Sequence, residues 1–403
     1  MTGCEDPVNG CEDPVTGCKD PVIAAQAEEI AADAVSQLRR LVDISSPSGD
    51  VAAAERALEV CASLLPAGAR ISRPECSTPG CAADLLATVA GAGRGRILLL
   101  GHVDTVVSHD AHRPLSREGE RLYGSGAVDM KGGDVLALGV ARQLARDPAA
   151  FAELGVLIVC DEEWRTRPFV HAGPDGPFAG YDACLCFEGG QLGPSGGEGV
   201  VVRRKAAGTM RVTATGRASH SGSAPDEGAN ALLALARTAS QLARLHDPSG
   251  PEQLTVVPTV LRAGEALNVV PAAGELTLDL RARGLPAFQA VVGAVAERID
   301  GVELQARLER GWPGMDSTAA TAALIERAAR RLGRAIEPVH RGGASDASHF
   351  AATIPCTIDG LGPRGAGAHT PQEFVLEPSL RERAEVALAL AHEALAAVCD
   401  PCR

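Results

Sequence analysis

Several short apolar runs in this chain each lead to a histidine or an acidic residue, and this recurrence constrains the fold more than any other feature. The runs and the residues that follow them are 97–100 before His102, 156–160 before the acidic triplet 161–163, 183–187 before Glu188, and 354–358 before a glycine-rich loop that ends at His369. Such runs, bounded by turn residues, indicate buried strands. Ligands of open α/β sheets bind at the carboxyl ends of the strands. The sequence therefore predicts a metal site whose ligands are distributed along the chain.

The size and charge of the chain exclude several classes of function. Its 403 residues suffice for two domains, each with its own core. Apolar residues make up 45% and charged residues 22%, which is ordinary for a globular protein in water. The net charge of -13 argues against nucleic acid or an anionic membrane as a partner.

The sequence carries no pattern that indicates secretion or membrane insertion. A secretory signal needs a basic segment followed by an apolar run, and the first residues lack both. An apolar stretch of about eighteen residues, which would predict a membrane-spanning helix, is also missing. The twelve cysteines are spread over a long chain, whereas disulfide frameworks are typical of short secreted proteins. We therefore expect a cytoplasmic protein in which Cys160, Cys184 and Cys356 serve as small apolar residues in strands.

A seven-residue repeat occupies the start of the chain, with Cys4, Cys11 and Cys18 at equivalent positions. A proline in each repeat prevents a continuous helix. The three cysteines are consistent with a metal chelate, but we favour a disordered tail over residues 1–22, because chain termini are usually poorly ordered. Cys399 and Cys402 have zinc-like spacing without a second pair, and we interpret them as tail too.

The order of the predicted elements changes near residue 199. Before it, helix and strand patterns alternate, which is typical of α/β proteins. The helices are expected at 24–42, 50–65 and 132–147, with a further strand at 83–89. After it, the order is strand, helix, strand, strand, helix, at 200–214, 228–245, 254–261, 275–282 and 286–299. The last segment, 317–398, is expected to complete the first sheet.

Seven motifs occur along the chain in a fixed order. They read HVDT, GSGAVDMKGG, DEE, FEGG, ASHSGSAPDEGANAL, LNVVPAAGELTLDLRA and GPRGAGAHTPQEF. Together they resemble the M20 family of dinuclear zinc peptidases and amidohydrolases, and they are most similar to its glutamate carboxypeptidase (carboxypeptidase G2-like) branch. The resemblance extends from about residue 41 to residue 374, which is most of the chain.

The resemblance implies the architecture of the whole chain. It indicates an α/β fold with a zinc-peptidase-like catalytic domain, in which helices flank a mixed central sheet. A smaller α+β lid and dimerisation domain is inserted within it. On this basis residues 23–198 and 317–403 form the discontinuous catalytic domain, and residues 199–316 form the lid. The family also implies a homodimer that associates through the lid.

The resemblance further implies a metal centre with two divalent cations about 3.5–4 Å apart. Asp129 matches the carboxylate that bridges the two cations. His102 and Glu188 match the remaining ligands of one cation, and Glu163 and His369 match those of the other. Two histidines and three carboxylates suit Zn²⁺, while Co²⁺ or Mn²⁺ would also be tolerated.

Three residues are expected to assist the chemistry. Glu162 precedes the ligand Glu163, and adjacent side chains in an irregular loop point in different directions, so Glu162 is predicted to be the general base. Asp104 is expected to hydrogen-bond the second ring nitrogen of His102, although a turn-forming Asp is the alternative. His220 matches the family's lid histidine, which reaches into the neighbouring subunit's site and stabilises the oxyanion. As a lone histidine it would more often be a surface residue.

Four positions match residues with which the family binds substrate. Asn268 and Arg281 correspond to lid positions that bind the substrate's carboxylate, for which the planar guanidinium is well suited. A surface ion pair between Arg281 and Asp279 is the competing interpretation. Gly343 and Ser345 lie in a segment that resembles the family's glycine-rich substrate loop.

One segment departs from the family pattern. After the acidic triplet the family usually continues with an aliphatic residue, glycine and serine, whereas this chain has WRTRP at 164–168. A tryptophan and two arginines here are expected to reshape the substrate pocket or to favour an acidic substrate. All five expected metal ligands are present, so the departure concerns the substrate and not the catalytic chemistry.

These observations predict a metal-dependent hydrolase that cleaves a peptide or amide bond and releases an amino acid with a free α-carboxylate. The first interpretation is a carboxypeptidase that acts on N-acyl-glutamate or small peptides. The second is an N-acyl-amino-acid deacylase or desuccinylase with the same machinery and a different pocket. A non-catalytic homologue that only binds a ligand is the third, and the joint retention of Glu162 and five ligands argues against it.

Overall fold

The computed structural model describes residues 18–399. Most of the cysteine repeat and Cys402 therefore lie outside the described residues. The first helix begins at Pro21, within the segment that was expected to be tail. Asp20 caps this helix by accepting hydrogen bonds from the backbone N–H groups of Val22 and Ile23, at 2.9 and 3.1 Å. The Asp20 carboxylate also contacts Arg331 at 2.6 Å, which attaches the chain to a distant helix.

Eight α-helices are assigned within residues 18–399. They are α1 Pro21–Val42, α2 Val51–Ser63, α3 Gly132–Leu144, α4 Ala231–Ala243, α5 Pro286–Gly293, α6 Thr318–Leu332, α7 Ala347–Phe350 and α8 Glu377–Cys399.

The same residues contain nineteen strands, several of them only two or three residues long. They are β1 Arg70–Ser72, β2 Leu85–Ala90, β3 Arg96–His102, β4 Ser116–Glu118, β5 Arg121–Tyr123, β6 Glu153–Val159, β7 Ala183–Cys186, β8 Gln191–Leu192, β9 Glu198–Arg204, β10 Ala206–Thr215, β11 Thr255–Ala263, β12 Ala273–Ala282, β13 Arg298–Ile299, β14 Val302–Trp312, β15 Met315–Asp316, β16 Ile336–Arg341, β17 Thr357–Ile358, β18 Gly365–Ala366 and β19 Phe374–Leu376.

The central sheet is mixed and has the strand order β1-β2-β6-β3-β7-β17. Strand β3 runs parallel to β6 and β7, whereas β2 is antiparallel to β6. Both faces of β3 are covered. Ile97 and Leu99 face the core formed with α1, α3 and α8, and Leu98 and Leu100 face a second, aromatic-rich core. Burial on both faces explains why the strand reads as an unbroken apolar run.

The parallel register brings the carboxyl ends of three strands to one edge of the sheet. His102 is paired with Val159, the last residue of β6, and Leu100 is paired with Cys186, the last residue of β7. The acidic triplet that follows β6 and Glu188 after β7 therefore lie on either side of His102.

A second sheet, with the order β11-β12-β10-β14-β13, is antiparallel throughout and lies within residues 199–316. Helices α4 and α5 cover one face of it and share a separate apolar core with its strands. The long strand β14 was missed by sequence reasoning, although residues 302–309 alternate apolar and polar side chains as a half-buried strand does.

Two further boundaries differ from expectation. The single strand predicted at 200–214 is two strands in two sheets, because β9 pairs with β15 and β16 while β10 belongs to the antiparallel sheet. Only Lys205 separates them, and no glycine or proline stands between Arg204 and Ala206 to mark a turn, so the sequence pattern did not reveal the change of sheet. Helix α5 ends at Gly293 and not near residue 299.

Within residues 18–399, every helix is too short or too polar to cross a lipid bilayer.

Candidate metal centre and active site

His102 is the buried last residue of β3 and has one ring nitrogen directed at two carboxylates. Its Nδ1 lies 3.0 Å from the backbone carbonyl of Asp104, an arrangement in which Nδ1–H donates and Nε2 keeps its lone pair. Nε2 lies 3.3 Å from Asp129 Oδ1 and 3.7 Å from Glu188 Oε1. It is buried and has no hydrogen-bond partner among the described residues. An orphaned lone pair beside two carboxylates fits a cation.

Asp129 lies between the two histidines. Its Oδ1 faces His102, and its Oδ2 lies 3.1 Å from His369 Nε2. Burial raises the pKa of Asp129, but the adjoining imidazole rings of His102 and His369 outweigh it and lower the pKa well below its usual value. With one oxygen directed at each histidine, Asp129 has the orientation that a bridging carboxylate requires.

His369 and Glu163 complete a second group of donors around Asp129. His369 Nε2 lies 2.8 Å from Glu163 Oε1, and the half-exposed histidine has a φ of 64°. Hydrogen bonds with Asp129 and Glu163 raise the pKa of His369 to about 10. The structure thus forms two donor clusters, each with ligand atoms within 4.8 Å of one another, and Asp129 belongs to both. The clusters are His102, Asp129 and Glu188, and Asp129, Glu163 and His369.

The clusters are strongly acidic. Burial, together with the charge of Asp129, raises the pKa of Glu188 to about 8, and burial likewise raises the pKa of Glu163. Such raised values mean that the carboxylates repel one another and that added positive charge would stabilise them. The donor set of two histidines and three carboxylates, which lacks sulfur, suits zinc, cobalt or manganese.

Glu162 is buried next to both clusters, on the turn that follows β6. Burial raises its pKa well above the usual value, and the negative charges of Asp346, Glu188 and Glu163 add to this effect against the opposing charge of His102. Sequence reasoning and the structure agree in bringing Glu162 to the metal cluster.

Asp104 contacts His102 and the acidic turn through different atoms. Its backbone carbonyl is the closest partner of the His102 ring, while its carboxylate Oδ1 lies farther away, at 3.4 Å. The carboxylate instead accepts hydrogen bonds from the backbone N–H groups of Glu162 and Glu163, at 3.0 and 3.2 Å, and from the Ser48 hydroxyl at 2.7 Å. The hydrogen bond predicted between Asp104 and the second ring nitrogen of His102 is thus made in the structure by the backbone carbonyl, an atom that the sequence prediction did not specify.

His220 and Asn268 are neighbours in the antiparallel-sheet region and are exposed. The Ser221 N–H donates to the Asn268 carbonyl at 3.0 Å, next to a bridge between His220 and Val269. His220 Nδ1 accepts two backbone N–H groups, at 3.1 and 3.2 Å, which leaves Nε2 as the protonated nitrogen of a neutral ring. Within residues 18–399 of one chain, no hydrogen bond or ion pair joins His220 to the metal clusters.

The other expected substrate residues have partners within the chain. Arg281 is paired with Asp279 at 3.0 Å, as the competing interpretation expected. The Ser345 hydroxyl is buried and donates to Asp359 at 2.6 Å, and the Gly343 carbonyl accepts from Arg204 at 2.9 Å. The Ser345 hydroxyl is therefore engaged by a buried carboxylate within the protein.

The unusual segment 164–168 divides into a buried and an exposed part. Arg165 is fully buried and forms ion pairs with Asp161 and Asp346, and its guanidinium lies 4.1 Å from the Phe169 ring centre. Trp164 is more than half exposed and covers Gly49, where an added Cβ would lie 2.1 Å from the indole. The charge of Arg165 is thus neutralised within the protein, so of the two arginines only the exposed Arg167 has a charge that is free to favour an acidic substrate.

Sequence reasoning missed two residues that lie beside the cluster. Glu373 is buried and accepts three backbone N–H groups of the Asp129 loop, from Gly126, Val128 and Asp129, at 2.8, 2.8 and 3.0 Å. Arg341 lines a cavity of about 160 Å³ together with Asp129 and Glu188. Glu373 is the penultimate residue of the last motif, and a position inside a motif was the only signal available for it.

Comparison with known proteins places these residues in a family. The sequence profile of the peptidase family M20/M25/M40 matches residues 98–393. Carboxypeptidase G2 from Pseudomonas sp. (strain RS-16) is 27% identical over 363 residues, which cover 85% of this chain and 84% of that protein. Succinyl-diaminopimelate desuccinylase from Stenotrophomonas maltophilia (strain K279a) is 28% identical over 321 residues, which cover 72% of this chain and 82% of that protein.

Solved structures show the same fold. The aminopeptidase PepT from Bacillus cereus ATCC 10987 has a TM-score of 0.74 at 20% sequence identity and covers 90% of this chain and 98% of its own. The predicted fold class is confirmed, as is the prediction of a metal-dependent hydrolase. The chain therefore belongs to the peptidase family M20/M25/M40.

Proposed function

We propose that this chain is a dinuclear-metal hydrolase of the carboxypeptidase type. It would cleave a peptide or amide bond and release an amino acid with a free α-carboxylate. The observation that carries the proposal is the pair of donor clusters that share Asp129 and lie beside the buried Glu162. The similarity to carboxypeptidase G2 over most of both chains supports this substrate class.

Five side chains would hold the metal ions. His102 and Glu188 would bind one cation, Glu163 and His369 would bind the other, and Asp129 would bind both. When bound, the two cations polarise the scissile carbonyl group and lower the pKa of a water molecule. The Asp104 carboxylate fixes the turn that carries Glu162 and Glu163, and Glu373 fixes the Asp129 loop. The metal ligands Glu163 and Asp129 are therefore held in place before substrate binds.

Glu162 is the proposed general base. Its carboxylate would remove a proton from the attacking water and deliver it to the nitrogen of the leaving amine. Burial and neighbouring acids raise its pKa, and nearby positive charge would oppose this rise and favour the ionised form that a base requires. The raised pKa also helps Glu162 to retain the proton until the leaving amine accepts it.

His220 is the proposed hydrogen-bond donor to the oxyanion. The two backbone N–H groups at Nδ1 favour the tautomer in which Nε2 carries the proton, as a donor must. We propose that His220 serves the site of a second subunit. Arg281 and Asn268 would bind the α-carboxylate of the substrate, and for this Arg281 must exchange Asp279 for the substrate.

A second candidate is the removal of a short acidic acyl group, such as succinyl, from an amino acid. The observation that favours it is Arg341, a half-buried cation in the small cavity beside Asp129 and Glu188. Its guanidinium contacts Gln191 at 2.6 Å, which fixes the side chain toward the cavity wall. A carboxylate at the far end of the acyl group would pair with this guanidinium.

A substrate panel tests both candidates. Dipeptides and N-acyl amino acids with C-terminal Glu, Asp, Leu or Lys are compared as acetyl, succinyl and aminoacyl derivatives. Preference for C-terminal Glu irrespective of the acyl group supports the carboxypeptidase. Preference for succinyl over acetyl, lost in Arg341→Met and kept in the surface control Arg203→Met, supports the desuccinylase. Metal-loaded protein that hydrolyses none of these compounds contradicts both.

A further inference from the structure

A second group of potential metal ligands lies on the other side of the acidic triplet. Cys76, Asp84 and Cys160, here called the thiol cluster, have ligand atoms that all lie within 4.8 Å of one another. Cys76 and Asp84 belong to the connection between β1 and β2, and Cys160 follows β6 directly. The cluster shares no residue with the two donor clusters at Asp129.

The thiol cluster is mostly buried, and its carboxylate is held in place by hydrogen bonds. Asp84 and Cys160 are completely buried or nearly so, and Cys76 is half-buried. The Asp84 carboxylate is fixed on both oxygens. Its Oδ1 accepts the Cys160 N–H at 3.1 Å, and its Oδ2 lies 2.7 Å from Nε2 of the buried His171. A histidine that orients a carboxylate in this way is typical of the surroundings of metal ligands.

Solvent reaches the cluster from one side. A surface cavity of about 340 Å³ is lined by Cys76 and Cys81, together with the turn between them. An ion could therefore enter past Cys76 and meet the Cys160 thiol and Asp84 behind it. Cys81 stands at the same opening and is the nearest further sulfur that could complete a four-ligand site.

The charge of the site favours a cation. The hydrogen bond with Cys76, burial and the negative charge of Asp84 all raise the pKa of the Cys160 thiol. Burial and Cys76 raise the pKa of Cys81 to about 12. Thiols with such neighbours remain protonated until a cation replaces their protons, and a soft divalent ion does so readily.

We propose that Cys76, Cys160 and Asp84 bind a thiophilic divalent cation of the zinc class. Two sulfur donors and one carboxylate oxygen suit tetrahedral Zn²⁺ or Co²⁺, with Cys81 or water as the fourth ligand. The sulfur donors disfavour Mg²⁺ and Ca²⁺. Binding releases the protons of Cys76 and Cys160.

The position of the site gives the cation a structural consequence. Asp161, the residue after Cys160, accepts the Thr78 N–H at 2.9 Å, so the loop of the thiol cluster already contacts the acidic turn. A cation bound by both Cys76 and Cys160 would cross-link that loop to the turn that carries Glu162 and Glu163. The ion would then stabilise the turn without taking part in the reaction.

Cobalt substitution tests the proposal independently of activity. Cobalt–thiolate bonds give charge-transfer absorption in the near ultraviolet, and the ligands around Asp129 contain no sulfur. Full-length metal-free protein is titrated with Co²⁺ under reducing conditions, and bound cobalt is counted. The wild type is expected to show the thiolate band and to bind about one Co²⁺ more per chain than Cys76→Ser. Cys356→Ser, which removes another half-buried cysteine, should behave as the wild type.

Asp84→Asn and Cys160→Ser serve as further variants, and circular dichroism confirms that each variant compared is folded. Loss of the band in Cys76→Ser and its weakening in Asp84→Asn support the site. A wild type without a thiolate band overturns it. A thiolate band that persists in Cys76→Ser also overturns it. The same holds if Cys76 and Cys160 are found as a disulfide and the protein still forms no cobalt–thiolate site after that disulfide is reduced.

Discussion

The charge state of each acid in the active site depends on its neighbours. Glu162, Glu163 and Glu188 all have raised pKa values, because they are buried together, and only His102 and His369 oppose this repulsion within the clusters. Bound cations would remove the repulsion and leave Glu162 as the acid that is free to carry a proton. Contact with metal therefore decides which carboxylates act as ligands and which one acts as the general base.

Glu162→Gln tests whether Glu162 is the general base and not a metal ligand. The amide has the same shape and cannot accept a proton, so kcat should fall by about 10²–10⁴-fold while metal content is unchanged. Glu163→Gln is the matched comparison and should lose metal as well as activity. Activity within tenfold of the wild type in Glu162→Gln would contradict the role of general base.

Glu373→Gln tests a positioning residue. Three N–H groups of the Asp129 loop donate to this carboxylate, and an amide would turn an NH₂ group toward at least one of them. We expect the affinity for zinc to fall by about 10–100-fold, with a smaller loss of kcat at saturating metal. Competition with a chromogenic chelator measures the affinity. The nearby Glu377→Gln should retain wild-type affinity, and equal affinities for both variants would contradict the proposal.

Among the secondary-structure elements, the turn after β6 is held by a buried ionic group. Arg165 joins Asp161 in the turn to Asp346 at the start of α7, and Phe169 and Trp312 lie against its guanidinium, 4.1 and 5.3 Å from their ring centres. The turn is thereby attached to the residue that precedes α7. This group, and not an interaction with substrate, explains the arginine that follows the tryptophan.

Arg165→Met should be strongly destabilising. It leaves two buried carboxylates without their counter-charge, which costs about 3–5 kcal/mol of unfolding free energy. Urea denaturation measures the change, and the exposed Arg167→Met should differ little from the wild type. A loss below about 1 kcal/mol for Arg165→Met would show that the group contributes little to stability.

His349, on α7, predicts a pH dependence of stability. Burial lowers its pKa to about 4, so the folded protein binds fewer protons than the unfolded chain between about pH 6.5 and 4. Stability is therefore full above pH 6.5 and is lost as the pH falls, by at most about 1.4 kcal/mol per pH unit from this residue. Comparison of the wild type with His349→Leu, both with chelator present, should show the shallower slope in the variant. Parallel slopes would contradict the assignment.

The sequence predicted some elements well for physical reasons. Strands β3, β6 and β7 are covered on both faces, so each is a continuous apolar run that could be recognised in the sequence together with the polar residues that follow it. Strand β14 was missed even though residues 302–309 alternate apolar and polar side chains. The contacts of Asp104 with Ser48, of Ser345 with Asp359 and of Arg165 with Asp346 were not predicted, because the two residues of each pair are distant in the sequence.

At the level of the whole molecule, His220, the proposed oxyanion donor, lies apart from the metal clusters within residues 18–399 of one chain. His220 is exposed, and in residues 18–399 it has no direct link to the clusters around Asp129. If His220 serves a second subunit, the active form is a dimer in which each site uses residues of both chains. The antiparallel sheet that carries His220 would then belong to the subunit interface.

Mixed dimers test this arrangement. Glu162→Gln and His220→Ala chains are each expected to be nearly inactive, and a mixed dimer regains one complete site. After equal mixing and random exchange, the activity should reach about a quarter of the wild-type value. Glu162→Gln mixed with Glu163→Gln is the control and should remain inactive. Failure of the first pair to recover activity, with exchange of subunits verified, would contradict a shared site.

The most direct test of the account is the metal content of chains that lack single ligands. The measurements are made in a Cys76→Ser background, so that the thiol cluster does not contribute, and metal is counted by elemental analysis after dialysis against zinc. We predict about two zinc ions in the parent, about one in His102→Ala or His369→Ala, and the loss of both in Asp129→Asn. One ion in the parent, or the loss of a single ion in Asp129→Asn, would contradict the claim that Asp129 is shared by two metal sites.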